Sequence, residues 1–121
     1  MAERVTVFGG AGFLGSHVCD KLSEAGYEVT IFDRRPSAYL RETQRFVEGD
    51  LLKPDEVEAA VAGADHVYNF AGLADIDEAR DRPRDTVTLN ILGNTHVLEA
   101  CVKHNVRRFI FASTVYVYSQ S

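Results

Sequence analysis

Val5-Thr-Val-Phe-Gly-Gly-Ala-Gly-Phe-Leu-Gly15 joins an apolar, strand-like segment to three glycines spaced three apart, and a helical pattern follows. Gly9 allows a tight bend after the strand, Gly12 has no Cβ to obstruct a pyrophosphate, and Gly15 lets the helix pack closely on the sheet. The unpaired N–H groups of the helix N-terminus would face the phosphates. Asp33 ends the next strand, eighteen residues after Gly15. In this context the stretch predicts a dinucleotide-binding turn.

The rest of the chain alternates short strand-like runs with helical patterns. Strands are predicted at residues 4–8, 28–33, 45–48, 66–70 and 107–112, and helices at 13–25, 54–62 and about 83–104. This alternation is typical of an α/β protein with a doubly wound parallel sheet. We expect one domain over residues 1–121, a Rossmann-type fold with strand order 3-2-1-4-5 that ends after strand five.

Composition narrows the classes of partner. The 121 residues carry a net charge of −5 with scattered lysines and arginines, so nucleic-acid binding is not expected. No apolar run is long enough to span a bilayer and no signal-like leader precedes the first strand, which favours a cytoplasmic protein without membrane contact. Cys19 and Cys101 fall in helices expected on opposite faces of the sheet, which predicts buried, unpaired thiols. The four histidines lack zinc-ligand spacing, so no metal site is predicted.

Asp33 and the residues after it bear on the choice of cofactor. Its carboxylate would accept hydrogen bonds from the ribose hydroxyls and repel a 2′-phosphate, which favours NAD over NADP. Arg34 and Arg35 follow directly. An arginine at this position stacks on adenine or, less often, binds the 2′-phosphate, so NADP stays the alternative.

Several motifs follow one another in a fixed order along the chain. They are Phe8-Gly-Gly-Ala-Gly-Phe-Leu-Gly-Ser-His17, Gly49-Asp-Leu51, Asn69-Phe-Ala-Gly-Leu73, Asn90-Ile-Leu-Gly93 with Leu98-Glu-Ala100, and Phe109-Ile-Phe-Ala-Ser-Thr-Val-Tyr-Val-Tyr118. With them the chain resembles the N-terminal half of an extended short-chain dehydrogenase/reductase, in the family of NAD-dependent sugar-nucleotide epimerases and dehydratases. The resemblance implies NAD as cofactor and, in the complete protein, a nucleotide-sugar substrate that transiently transfers a hydride to the nicotinamide.

The resemblance also implies a set of cofactor-binding positions. They are Gly9, Gly12, Phe13, Leu14, Gly15, Asp33, Arg34, Asp50, Leu51, Phe70, Ala71, Gly72, Asn90 and Ser113. Phe13 and Leu14 would present backbone amides to the pyrophosphate. Asp50 would border the adenine together with Leu51. Asn90 is expected to be buried beneath the nicotinamide, where its amide satisfies backbone groups at a strand end, or to be purely structural.

Thr114 is the candidate catalytic residue. In the Ser113-Thr114 pair, the resemblance implies that the second hydroxyl bonds the sugar hydroxyl being oxidised, a role that suits a group able to donate and accept. The family's general base, the tyrosine of a Tyr-x-x-x-Lys pair, is absent from these residues, and Asn94 replaces the threonine that usually follows Gly93. We therefore expect part of a longer enzyme, inactive in isolation. A non-catalytic NAD(P)-binding sensor or interaction module is the alternative.

Strand five is almost continuously apolar from Phe109 to Ala112, which is typical of a strand covered on both sides. An uncovered apolar edge strand invites pairing with another chain. We therefore predict a homo-oligomer that forms through this edge or through the long helix from Pro83 to His104.

Overall fold

The computed structural model describes residues 2–36, 40–71 and 81–111. Its strands are β1 (Arg4–Phe8), β2 (Glu28–Asp33), β3 (Gln44–Glu48), β4 (His66–Asn69) and β5 (Arg108–Phe111). All neighbouring strands are parallel and form one sheet in the order β3-β2-β1-β4-β5. The predicted Rossmann-type topology is therefore confirmed, and the carboxyl ends of all the strands lie at one edge.

Helices follow β1, β3 and β4 along the chain. They are α1 (Phe13–Glu24), α2 (Pro54–Val61), α3 (Pro83–Val87) and α4 (Asn94–Lys103), with a π-helical segment, Thr88–Gly93, between α3 and α4. A left-handed glycine follows α1, where Gly26 has a φ of 95°. The predicted helix over 83–104 has the right extent. Its middle is a wide π turn instead of α-helix, a feature that hydrophobic periodicity does not report.

β4 ends one residue earlier than predicted for a physical reason. The N–H of Phe70 still donates to the carbonyl oxygen of Phe8 over 2.8 Å. The N–H of Ala71, however, donates to the side-chain Oδ1 of Asn69 over 3.0 Å. The side chain of Asn69 thus accepts the hydrogen bond that the backbone of a neighbouring strand would otherwise accept, and β4 ends there. The predicted end of strand five at Ala112 lies outside the described residues.

Two apolar layers cover the sheet. One layer packs α2 and α4 on the sheet through Val57, Val61, Val67 and Val97, all fully buried, and includes Cys101. The other packs α1 on the opposite face and includes Cys19. Both cysteines are buried and free, so the predictions of opposite faces and unpaired thiols are confirmed. Among the described helices, none has the length and apolarity to cross a bilayer.

Candidate functional site

Two glycines of the turn after β1 are required by the fold itself. Gly9 has a φ of 77°, a left-handed conformation that L side chains rarely adopt, and its N–H donates to the carbonyl oxygen of Phe32 over 2.8 Å. A Cβ at Gly9 would also lie 2.7 Å from the backbone nitrogen of Ala71. A Cβ at Gly15 would overlap the carbonyl oxygen of Gly9. Both positions therefore allow the close packing of α1 and β4 on the end of β1.

Gly12 is different, because the described fold does not need a glycine there. Its φ of −75° and ψ of 177° are open to any residue. Of the described atoms outside its chain neighbours, only the carbonyl oxygen of Gly9 would come within 4 Å of a Cβ, at 3.6 Å. Gly12 faces an open crevice. The missing Cβ thus leaves room for a ligand close to the backbone.

The N-terminus of α1 borders the same crevice. Its first turn has neither a side-chain cap nor an acidic residue, and Gly12 is the N-cap. The Ser16 hydroxyl does not cap the turn; it donates to the carbonyl oxygen of Phe13 over 2.9 Å. N–H groups at such a terminus carry partial positive charge and favour an anion. Phe13 and Leu14, the residues predicted to present amides to a pyrophosphate, form this turn.

Asp33, at the end of β2, is tied to the glycine turn. Its Oδ2 accepts a hydrogen bond from the N–H of Ala11 over 3.1 Å, and its Oδ1 accepts one from the N–H of Arg34 over 2.7 Å. Oδ1 also accepts a longer hydrogen bond from the N–H of Arg35 over 3.4 Å, so the further lone pair for a ligand hydroxyl is on Oδ2. Asp33 therefore both braces the turn and lines the crevice.

The crevice has a volume of about 460 Å³ and opens at the carboxyl ends of β1, β2 and β4. This size is in the range of small-molecule sites. Its lining residues are Gly9, Gly12, Phe32, Asp33, Arg34, Arg35, Gly49, Leu51, Phe70, Ala71, Arg82 and Leu89. A second crevice, of about 410 Å³, lies at the amino ends of the strands. Ligands of open α/β sheets bind beyond the carboxyl ends, so the first crevice is the candidate site.

The structure brings together about half of the predicted positions. Gly9, Gly12, Asp33, Arg34, Leu51, Phe70 and Ala71 line the crevice. Phe13, Leu14 and Gly15 lie in the adjoining turn. Gly72, Ser113 and Thr114 fall outside the described residues. Sequence reasoning did not place Leu89 at the site, whereas Arg82 belongs to the run of charges after strand four that was expected beside it.

Asp50 does not line the crevice within the described part of the chain. Its Oδ1 accepts a hydrogen bond from the N–H of Leu52 over 2.9 Å, and its own N–H donates to Glu56 Oε1 over 3.1 Å. The side chain of Asp50 thus stabilises its own turn. Leu51 is 3% exposed. Its backbone is held by His96 of α4, whose Nδ1 lies 3.0 Å from the carbonyl oxygen of Leu51. That geometry gives His96 the tautomer with a proton on Nδ1, since a carbonyl only accepts.

The expected burial of Asn90 is wrong. Asn90 lies on the exposed side of the π segment, whose buried position is Gly93. The buried asparagine at a strand end is Asn69, which is 1% exposed. Asn69 Nδ2 donates to Asn94 Oδ1 over 2.9 Å. The buried carboxamide that was predicted at Asn90 is therefore found at Asn69. A contact of Asn90 with the cofactor stays a prediction.

A parallel sheet of this order, a glycine turn at the start of α1 and an acid at the end of β2 define a Rossmann-type nucleotide-binding domain. The sequence profile of the NAD dependent epimerase/dehydratase family matches residues 5–121. The chain belongs to this family.

Individual relatives agree with this assignment. The bifunctional UDP-glucose 4-epimerase and UDP-xylose 4-epimerase 1 of Pisum sativum is 30% identical, over 98% of this chain and 39% of that protein. Human 3 beta-hydroxysteroid dehydrogenase type 7 is 35% identical, over 92% of this chain and 32% of that protein. The crystal structure of UDP-glucose 4-epimerase from Brucella ovis in complex with NAD superposes with a TM-score of 0.89 at 30% identity, over 98% of this chain and 38% of that one. The chain thus spans between 30 and 40% of the length of these relatives.

Proposed function

We propose that this chain binds NAD in the crevice at the carboxyl edge of the sheet, with the pyrophosphate over Gly12. Gly12 carries the proposal. It has an ordinary backbone conformation, and a Cβ there would make only an ordinary contact, 3.6 Å from the carbonyl oxygen of Gly9, beside the uncapped start of α1. A bridging diphosphate close to the backbone explains why this position has no side chain.

The residues around the crevice fit the remaining parts of a dinucleotide. Asp33 would bind the adenosine ribose with the second lone pair of its Oδ2 atom, and its negative charge favours NAD over NADP. Arg34 and Leu51 would border the adenine, and Phe70 with Ala71 would line the nicotinamide half. Contacts of Gly72, Ser113, Asp50 and Asn90 with the cofactor belong to the same proposal.

In the longer protein, we place this chain as the cofactor-binding part of an epimerase or dehydratase acting on a nucleotide sugar. Family membership supports this, as do relatives whose names include UDP-glucose 4-epimerase. Bound NAD supplies the acceptor and donor of a transiently transferred hydride. Thr114 would orient the sugar hydroxyl. The 121 residues contain no Tyr-x-x-x-Lys pair, so a general base is absent from them and turnover by this chain alone is not expected.

Calorimetric titration of the chain with NAD and NADP tests the proposal. We expect binding of NAD, weaker binding of NADP and no epimerase turnover. No heat of binding with either dinucleotide at millimolar concentration would refute it. Tight NAD binding by these 121 residues alone would favour the sensor or interaction module, because an enzyme severed from its substrate-binding part lacks contacts that stabilise the bound cofactor.

We further propose that the chain forms a homo-oligomer and works in the cytoplasm. Large apolar side chains are exposed along α3, the π-helical segment and α4, and at the edge strand β5. They are Val87, Ile91, Leu92, Leu98, Val102 and Phe111, between 41 and 79% exposed. Apolar surface of this kind favours association. A monomeric sedimentation profile at high protein concentration would contradict the oligomer. The free, buried Cys19 and Cys101 are typical of a reducing compartment.

A further inference from the structure

Asn69, at the end of β4, has a polar carboxamide side chain in the interior of the protein and is 1% exposed. A buried carboxamide is costly unless it is hydrogen-bonded. Oδ1 of Asn69 accepts from the N–H of Ala71 over 3.0 Å, and Nδ2 donates to Oδ1 of Asn94 over 2.9 Å. The two bonds fix the orientation of the carboxamide, because a flipped Asn69 would point its NH2 group at the N–H of Ala71.

The helix that carries Asn94 is held close to the crevice. Asn94 is the first residue of α4 and directly follows the π segment. At the preceding Gly93, a Cβ would lie 2.5 Å from Cδ2 of Leu51, a residue of the crevice wall. Single π-helical turns are rare and occur frequently at functional sites. The close packing at Gly93 sets the distance from which Asn94 reaches Asn69.

Ala71 lies at the other end of this series of contacts. It lines the crevice together with Gly9, and their backbones touch, since a Cβ on Gly9 would lie 2.7 Å from the nitrogen of Ala71. A displacement of Ala71 therefore changes the crevice next to the glycine turn. Its N–H is held by Asn69 and not by a neighbouring strand.

We propose that Asn94 is a positioning residue for the dinucleotide, which acts through Asn69 on Ala71 and so sets the crevice wall at the end of β4. This inference rests on the proposed function, because it concerns the same crevice. Asn94 is not among the described lining residues, so it acts without touching the ligand. The asparagine that stands in the usual place of a threonine is thereby explained by its partner, the buried carboxamide of Asn69.

Three variants of the whole chain test the inference. Asn94→Ala removes the acceptor for Asn69, whereas Asn94→Asp keeps an oxygen at the same place. Thr95→Ala is the matched control, because Thr95 is exposed and donates to the carbonyl oxygen of Ile91 over 2.8 Å. We expect Asn94→Ala to speed amide exchange at Ala71, measured by NMR, and to weaken NAD binding about fivefold to thirtyfold. Asn94→Asp should restore both, and Thr95→Ala should change neither.

The outcomes separate the two proposals. If the unsubstituted chain binds NAD, and Asn94→Ala has the exchange rate of Ala71 and the NAD affinity of the control, the role of Asn94 is overturned and the proposed function stands. An unsubstituted chain that does not bind NAD would overturn both. A purely structural asparagine would lower the melting temperature of Asn94→Ala while the folded protein bound NAD as before, which also overturns the inference.

Discussion

The backbone N–H of Ala11 donates a 3.1 Å hydrogen bond to the Oδ2 atom of Asp33, so the glycine turn after β1 is braced by the acid that ends β2. Asp33 ends β2, whereas Ala11 lies in the turn that follows the adjacent parallel strand β1, where the N–H of Gly9 also donates to the carbonyl oxygen of Phe32 over 2.8 Å. Asp33 can therefore affect a bound dinucleotide in two ways, by direct contact and by shaping the turn.

Asp33→Asn separates these two effects. The amide keeps an acceptor oxygen for the N–H of Ala11 but loses the charge and the acceptor for the N–H of Arg34, so NAD affinity should fall about tenfold to hundredfold, as for a hydrogen bond to a charged group. NADP should lose less, because the repulsion of its 2′-phosphate disappears. Paired titrations give the ratio of the two affinities. Glu48→Gln is the control, since Glu48 pairs with Asp33 in the sheet but is exposed and outside the described crevice lining. An equal loss for both dinucleotides would leave Asp33 with the bracing role alone.

Gly12→Ala should weaken NAD binding and leave the stability almost unchanged, whereas Gly15→Ala should lower the stability. At Gly12 a Cβ makes only an ordinary contact with the carbonyl oxygen of Gly9, so the free energy of unfolding should change by no more than about 1 kcal/mol, while the methyl group obstructs the pyrophosphate and weakens NAD binding by about tenfold or more. At Gly15 a Cβ overlaps the carbonyl oxygen of Gly9, so unfolding should become easier by about 1–3 kcal/mol. Urea unfolding and titration measure the pair. Unchanged NAD affinity in Gly12→Ala would remove the basis of the proposed function.

The elements that sequence predicted well are those that local periodicity encodes. The apolar stripe of α1 and its stop at Gly26 placed the helix within one residue of its end at Glu24. The alternation of strands and helices predicted the strand order, and the glycine spacing together with Asp33 predicted the position of the crevice. These signals lie within short stretches of chain, so a single sequence carries them.

The features that sequence did not reveal depend on contacts between distant segments. Asn69 and Asn94 are separated by 25 residues, and the bond between them becomes visible only when α4 packs on β4. Leu89 reaches the crevice because the helix is pressed onto Leu51 at Gly93. Asn90 was assigned by resemblance, and its exposure depends on the π segment around it. None of these features alters the spacing of apolar residues along the chain, which is the signal that predicts helices and strands.

The two thiols should make the protein less stable at alkaline pH. Burial raises the pKa of Cys19 to about 12, with a smaller contribution from Asp20, and burial raises the pKa of Cys101 to about 11. Above pH 9, the ordinary pKa of the group, an unfolded thiol loses its proton while the folded one keeps it. The unfolded state then binds fewer protons, so the free energy of unfolding falls as pH rises. Urea unfolding from pH 8 to about 10.5 should show this decline, less steep in Cys19→Ala.

The same burial predicts slow reaction of both thiols with Ellman's reagent in the folded protein, because the thiolate is the reactive form. Both should react promptly in urea. Rapid modification of Cys19 or Cys101 without unfolding would contradict the burial of that thiol.

Glu58 joins α2 to the end of α4, and its contribution should disappear in acid. Its Oε1 lies 2.6 Å from Lys103 Nζ and 3.3 Å from His104 Nε2. The hydrogen bond from Lys103 lowers the pKa of Glu58 below its ordinary 4.5, with a further lowering by His104.

A lowered pKa means that the folded state holds the proton less tightly, so the stabilisation is present above pH 4.5 and is lost as pH falls through the folded pKa. Because the Glu58 side chain is 37% exposed, the effect should be small and weakened by salt. Thermal unfolding of Glu58→Gln should give a lower melting temperature than the unsubstituted chain at pH 7, and the difference should vanish near pH 3 and in about 1 M salt. Lys103→Met should show most of the same loss at pH 7, and Glu58→Gln should then add only the small effect of the contact with His104. A melting-temperature difference that persists in acid and in salt would mean that Glu58 stabilises the helix contact by packing and not by charge.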